Sequence, residues 1–141
     1  MSIEKELVEI SEILNNEIRM IKLESFSDDE LSRITINHYY YLSAIEKSEL
    51  PTISSVAERL KVTRPSATVM VNKLMEQGFI RKLQSAEDKR VFYLYLTEKG
   101  RVLTDAEIMA YKRIDDKLAL LKSDKADAIK EGLAILLDAL R

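Results

Sequence analysis

At 141 residues, with 46% hydrophobic and 33% charged residues, the chain has the balance of one folded domain, or of one domain with a helical appendage. The absence of cysteine excludes disulfide staples, thiolate zinc sites and thiol redox sensing, a lone histidine builds no metal site, and no apolar run approaches the ~18 residues of a membrane span. The net charge of -2 hides a segregation: residues 59–101 hold ten basic and four acidic residues, a net +6, so the remainder carries -8, and a basic segment in an acidic frame is what a polyphosphate-binding face requires.

Ile3, Leu7, Ile10, Leu14, Ile18 and Ile21 recur every three or four residues and predict an amphipathic first helix. The opening MSIEKELVEI does not resemble a secretory signal, and the expected location is the cytoplasm. A break rich in capping residues follows at 24–29, with a short helical turn from Asp29 to Arg33. Thr35 then reads as the N-cap of a second helix carrying Ile36, Tyr39, Leu42 and Ile45 on one side and ending before Pro51. Its run His38-Tyr39-Tyr40-Tyr41 fans over about 300° of a helix, so the four cannot line one pocket. Tyr39 is assigned to the core; His38, Tyr40 and Tyr41 are the candidates to border an effector cavity.

Thr52 caps a short helix with Ile53, Val56, Ala57 and Leu60 inward. The tight turn Lys61-Val62-Thr63-Arg64 leads into a second helix that runs to about Gln77, with Ala67, Met70, Val71 and Leu74 at i, i+3, i+4 and i+7, and Gly78 where a left-handed cap belongs. Two short helices joined in this way are a helix-turn-helix. After Gly78 the period changes to two. Phe79–Leu83 and Val91–Leu96 read as paired strands around a charged connection, which makes a wing. Thr97 caps a long helix in which Gly100 costs propensity, and Ser123 begins a last helix. The fold class is therefore mainly α with a small antiparallel β wing: a winged helix-turn-helix plus a helical dimerisation region. The expected divisions are 1–34 (dimerisation helix and linker), 35–100 (winged helix-turn-helix, wing about 79–97) and 101–141 (dimerisation helices).

The second helix of the unit keeps Arg64, Pro65, Ser66, Thr68, Val69, Asn72 and Lys73 outward, with Thr63 at its cap. These small polar groups, methyls and cations suit base edges and phosphates in a major groove. The wing adds Arg81 and Lys82 on its first strand and Asp88, Lys89 and Arg90 at its tip. A projecting arginine suits the minor groove, and Asp88 beside it can orient Arg90 by a charge-assisted hydrogen bond. The stripe of Ile3, Leu7, Ile10 and Leu14 and that of Ile129, Leu133, Leu136, Leu137 and Leu140 exceed what a small winged domain can bury. Burial across a two-fold axis would cover both, giving a homodimer.

The stretch TISSVAERLKVTRPSATVMVNKLMEQGFIRKLQSAEDKRVFYLYLTEKG, residues 52–100, resembles the MarR family of winged helix regulators, with the D-x-R of the wing at Asp88-Lys89-Arg90 and the L-T-x-x-G ending at Leu96–Gly100. The resemblance implies a triangular homodimer whose wings straddle a palindrome, and repression or activation of promoters, usually relieved by a small ligand between the dimer and DNA lobes. Lys61 departs from it where the family commonly has glycine, and Val69 where many relatives carry a polar or basic residue. The lack of cysteine argues against the peroxide-sensing branch, and the lone histidine against the zinc-sensing one. The expected function is sequence-specific binding of double-stranded DNA at a pseudo-palindromic operator, as a repressor, without cofactor, metal or membrane. The alternatives are a winged-helix protein-interaction module, which would need an apolar or acidic recognition face, and an activator that needs no ligand. No nucleophile–base pair or phosphate loop suggests an enzyme.

Overall fold

Three threonines fix where helices begin: Thr52, Thr63 and Thr97 each accept a hydrogen bond from the backbone N–H three residues on, at Ser55 (3.1 Å), Ser66 (3.3 Å) and Gly100 (3.1 Å). A computed structural model describes residues 2–141, and among these the elements run α1 (Glu4–Leu23), α2 (Asp28–Ser32), α3 (Ile36–Glu46), α4 (Ile53–Leu60), α5 (Arg64–Glu76), β1 (Ile80–Gln84), β2 (Phe92–Leu96), α6 (Glu98–Leu118) and α7 (Ser123–Leu140). No helix among the described residues is long and apolar enough to cross a membrane.

Two left-handed residues end the paired helices. Lys61, at φ 56° and ψ 42°, closes α4, and Val62 N–H reaches Ala57 O at 3.0 Å. A non-glycine residue pays about 1 kcal/mol or more for this conformation, which is the cost of lysine at a position where the resembled family commonly has glycine. Gly78, at φ 80°, closes α5, and Phe79 N–H returns to Leu74 O at 2.9 Å. That bond takes Phe79 out of the sheet, so β1 starts at Ile80 instead of Phe79 and runs on to Gln84. The β2 partner likewise starts at Phe92, one residue after the expected Val91.

The strands pair antiparallel with Ile80 opposite Leu96 and Gln84 opposite Phe92. Leu94 N–H also reaches Pro51 O at 2.7 Å, which ties the wing to the entry of α4. The main core gathers Leu42 and Ile45 of α3, Val56 of α4, Ala67, Val71 and Leu74 of α5 and Leu94 of β2; Phe26 and Leu103 join it from outside residues 35–100. A second, small cluster joins Ile21 of α1 to Ala106 and Ala110 of α6.

One expectation about the inward side of α3 fails. Ile36 is exposed, and the buried stripe is His38, Tyr41, Leu42 and Ile45. The helix is rotated because His38, polar on paper, is hydrogen-bonded on both sides of its ring and can be fully buried.

The outer helices bury little of themselves. No residue of α7 is buried, and Ile21 is the one buried residue of α1. Ile3, Leu7, Ile10, Ile129, Leu133, Leu137 and Leu140 are exposed, with Leu14 and Leu136 half-buried.

Candidate nucleic-acid interface

Helix α5 stands on the core through Ala67, Val71 and Leu74, which are fully buried, and its opposite face is open to solvent. Pro65 in the first turn forfeits no helical hydrogen bond. Thr63 Oγ1 accepts from Ser66 N–H and donates to Ser66 Oγ at 2.9 Å, while Thr68 Oγ1 donates to Arg64 O at 2.9 Å. Arg64, Pro65, Ser66, Val69, Asn72 and Lys73 are exposed and Thr68 is half-buried, so all seven residues expected on the outer face of this helix lie there.

The wing loop is held by its own side chains. Ser85 N–H donates to Val91 O at 2.8 Å, Gln84 Nε2 donates to Lys89 O at 2.7 Å, and Ser85 Oγ accepts from the N–H groups of Glu87 and Asp88. Asp88 Oδ1 accepts from the backbone N–H of Arg90 at 3.0 Å and from Arg90 Nε at 3.2 Å, and Oδ2 accepts from a terminal guanidinium nitrogen at 3.2 Å. The Arg90 side chain, followed by its backbone N–H, holds the Asp88 carboxyl below the usual carboxylate range. The aspartate thus stays ionised and fixes the direction of a guanidinium that is 90% exposed.

Helix and wing meet in one cleft. A cavity of about 230 Å³ is lined by Thr52, Ile53 and Ser54 at the start of α4, by Arg64 at the start of α5, and by Arg90, Val91 and Phe92 of the wing. Arg64 and Arg90, 26 residues apart in sequence, face the same concavity. Lys82 lies 5.1 Å over the ring of Phe92 and belongs to the same side of the hairpin. Arg81, the adjacent strand residue, does not: it pairs opposite Tyr95 and lines a different cleft with Leu96, Thr97, Glu98 and Arg101. Strand alternation separates the two basic residues. Thr52 and Ser54 were not singled out from the sequence, where the residue type at a helix start signals capping and nothing more.

The His38, Tyr40 and Tyr41 grouping is corrected. His38 Nδ1 accepts from Thr35 N–H at 3.0 Å, and its Nε2 lies 3.0 Å from Gln77 Oε1, so the ring ties the start of α3 to the end of α5. Tyr41 is a core residue, its hydroxyl pKa raised by burial, and Tyr40 is exposed elsewhere on the helix. Among the described residues His38 and Tyr41 are buried in the core while Tyr40 is exposed, so the three do not share a surface. Tyr39 packs against the core as expected, and is also the tyrosine that borders a cavity. It lines a groove of about 530 Å³ between α1, α3 and α6 with Asn15, Lys22, Glu46 and Glu107 among others, and its hydroxyl accepts from Lys22 Nζ at 2.7 Å. Burial, followed by the negative charge of Asp105, raises the Glu46 pKa there.

A further anchor, Lys99, was not legible in the sequence. Its ammonium donates to Gln77 O at 3.3 Å and to Glu30 Oε1 at 3.2 Å, and lies 5.2 Å from the ring of Phe79, joining the end of α5 to α2 and α6. Among the described residues no cluster of His, Asp or Glu could hold a metal ion.

The model of the MarR family matches residues 34–92, which include α3, α4, α5, β1 and the wing loop. The match spans 59 of the 141 residues, so the chain is similar to the MarR family over its helix-turn-helix and wing. It is 37% identical over 89 residues to the uncharacterized HTH-type transcriptional regulator YybA of Bacillus subtilis, covering 60% of this chain and 59% of that one, so the chain spans about three-fifths of that relative. It is 24% identical over 132 residues to the B. subtilis HTH-type transcriptional repressor MdtR, covering 79% of this chain and 85% of that one. S. aureus MepR bound to ethidium bromide superposes with a TM-score of 0.70 at 21% identity, over 100% of this chain and 98% of that one. In the S. aureus MepR–DNA complex the values are 0.64 and 18%, over 99% and 97%. At these identities the MepR likeness shows a shared fold and nothing more.

Proposed function

We propose that the chain is a transcription regulator, not an enzyme, that binds double-stranded DNA as a homodimer at a pseudo-palindromic operator. Helix α5 enters the major groove and the wing reaches the adjoining minor groove. The observation that carries this is the shared cleft of Arg64 and Arg90, which puts a cation from the helix start and one from the wing on the same side of the molecule. Phosphate contacts come from Arg64, Lys73, Lys82 and Lys89, base contacts from Ser66, Thr68, Val69 and Asn72, and Arg90, oriented by Asp88, takes the minor groove, where negative potential concentrates. Arg81, on the other sheet face, has at most a backbone contact.

The dimer forms through the apolar faces of α1 and α7, exposed in the single chain, within the two flanking regions 1–34 and 101–141; residues 35–100 carry the DNA contacts. Repression is favoured by the match to the repressor MdtR over most of both chains. A ligand that relieves it would sit in the groove beside Tyr39 and Glu46, whose volume suits a small organic molecule and whose walls come from both the outer helices and α3. That S. aureus MepR, which shares this fold, is bound to ethidium bromide favours a small organic ligand for this chain as well. DNA as target places the protein in the cytoplasm.

Selection from a random duplex pool tests the reading. It should enrich two inverted half-sites about 10 base pairs apart, centre to centre, with affinity falling steeply as salt rises. A pool that yields no preferred sequence, or binding indifferent to salt, overturns it.

A further inference from the structure

The chemistry at the centre of α5 is narrower than its composition suggests. A hydroxyl has one proton to give, and two of the three on this face are already committed: that of Thr63 goes to Ser66 Oγ and that of Thr68 to Arg64 O. Thr68 therefore offers the groove its methyl and no proton. Between the flanking cations Arg64 and Lys73, the outward ridge is Pro65, Val69 and Asn72, at i, i+4 and i+7. Val69 is 71% exposed and stands clear of the buried residues that anchor the helix. The Asn72 amide makes no side-chain hydrogen bond among the described residues.

We infer that Val69 reads the 5-methyl group of thymine, with Asn72 on the adenine of a neighbouring pair, so that each operator half-site carries A·T pairs beneath the middle of α5. This deepens the DNA-binding reading and rests on it. Thymine is the base with an apolar group in the major groove, and an asparagine amide matches adenine N6 and N7 in two hydrogen bonds. Spacing agrees. Three residues of helix rise about 4.5 Å, against a base step of about 3.4 Å along one strand, so the two side chains meet adjacent or near-adjacent pairs.

The test uses the duplex recovered from the random pool, with each thymine of one half-site replaced singly by deoxyuridine, which removes the methyl and nothing else. At one or two positions the replacement should weaken binding by the wild-type protein about fourfold, the worth of one buried methyl. With Val69→Ala the same replacement should cost less than twofold. Val69→Ala should melt with the wild-type protein, because Val69 is not part of the core, so a loss of fold cannot mimic the result. Tight binding that tolerates uracil everywhere overturns the inference while leaving DNA binding intact. So does an equal uracil penalty in wild type and Val69→Ala, or a selected half-site without thymine. Recovery of no duplex at all removes the DNA-binding reading, and this inference with it.

Discussion

Gly100 is where helix propensity and packing predict opposite signs, which makes Gly100→Ala a clean test. By propensity alone, alanine in the first turn of α6 gains up to about 1 kcal/mol. The structure forbids that gain. A Cβ at residue 100 would stand 2.2 Å from Phe79 O and 3.1 Å from Phe79 C, both backbone atoms that no rotamer change can clear. The helix start would have to withdraw by about 1 Å from a seat defined by two short bonds: Thr97 N–H to Phe79 O at 2.9 Å, and Thr97 Oγ1 to Gly78 O at 2.6 Å. Overpacking of this kind costs about 1–3 kcal/mol, and weakening the two bonds adds about 1 kcal/mol, so the net loss is about 2 kcal/mol. At roughly 3–4 °C per kcal/mol for a chain of this length, the melting midpoint should fall by about 6–8 °C. The assay is thermal unfolding followed by far-ultraviolet circular dichroism at fixed protein concentration, since a dimer's midpoint depends on it. Gly132 is the contrast: in the single chain nothing lies within 4 Å of a carbon added there, so Gly132→Ala carries no such internal clash and propensity alone would raise the midpoint by about 3 °C. A Gly100→Ala protein that melts at or above wild type refutes the claimed contact.

Arg90→Ala should weaken binding to every duplex alike, by about tenfold or more for a charge-assisted groove contact, as read by fluorescence anisotropy; unchanged affinity for the selected operator would exclude the minor-groove role. Leu133→Glu places a charge within the exposed stripe of α7 and should turn a sedimenting dimer into a monomer; if the variant stays dimeric, the two-fold contact does not use that face. Glu46→Gln should raise the melting midpoint at pH 7 and lose that advantage on acidification. The sign follows from the raised pKa of Glu46: its ionised form is disfavoured in the fold, so the penalty is present above the folded pKa and vanishes below the ordinary carboxyl value. An advantage that is absent at pH 7 or grows with acid would contradict it.

Much of this was legible because it is local. A threonine cap is decided within three residues, as at Thr52, Thr63 and Thr97, and the cap at Gly78 within five. The Asp88–Arg90 pair spans two residues and was anticipated for the same reason. What failed depends on distant partners. The α3 stripe was placed with Ile36 inward because hydropathy treats histidine as polar, whereas His38 is buried by virtue of Gln77, 39 residues away. Rotating that stripe brings Tyr41 into the core and leaves Tyr39 packed against the core at the wall of the groove. Arg81 is a different failure, since strand alternation already separated it from Lys82.

The cleft itself could not be read from the sequence, although each residue in it could. The orientation of Arg90 comes from its neighbour, but its place opposite Arg64 comes from a chain of longer constraints. Leu94 N–H bonds Pro51 O, which sets β2 beside the first residues of α4. The pairing of Ile80 with Leu96 then fixes where the hairpin turns, and the bonds of Ser85 and Gln84 to Val91 and Lys89 close the loop back onto itself. Only with all three in place does a residue two positions before Phe92 come to lie beside Thr52 and Arg64. Pro51, having no N–H of its own, meets the sheet edge through its carbonyl alone, so the wing is joined to the entry of α4 by one short backbone bond. The angle between wing and α5, on which the proposed reach across two grooves depends, is therefore set partly at Leu94 and Pro51, together with the bond of Phe79 N–H to Leu74 O, all outside the proposed DNA contacts.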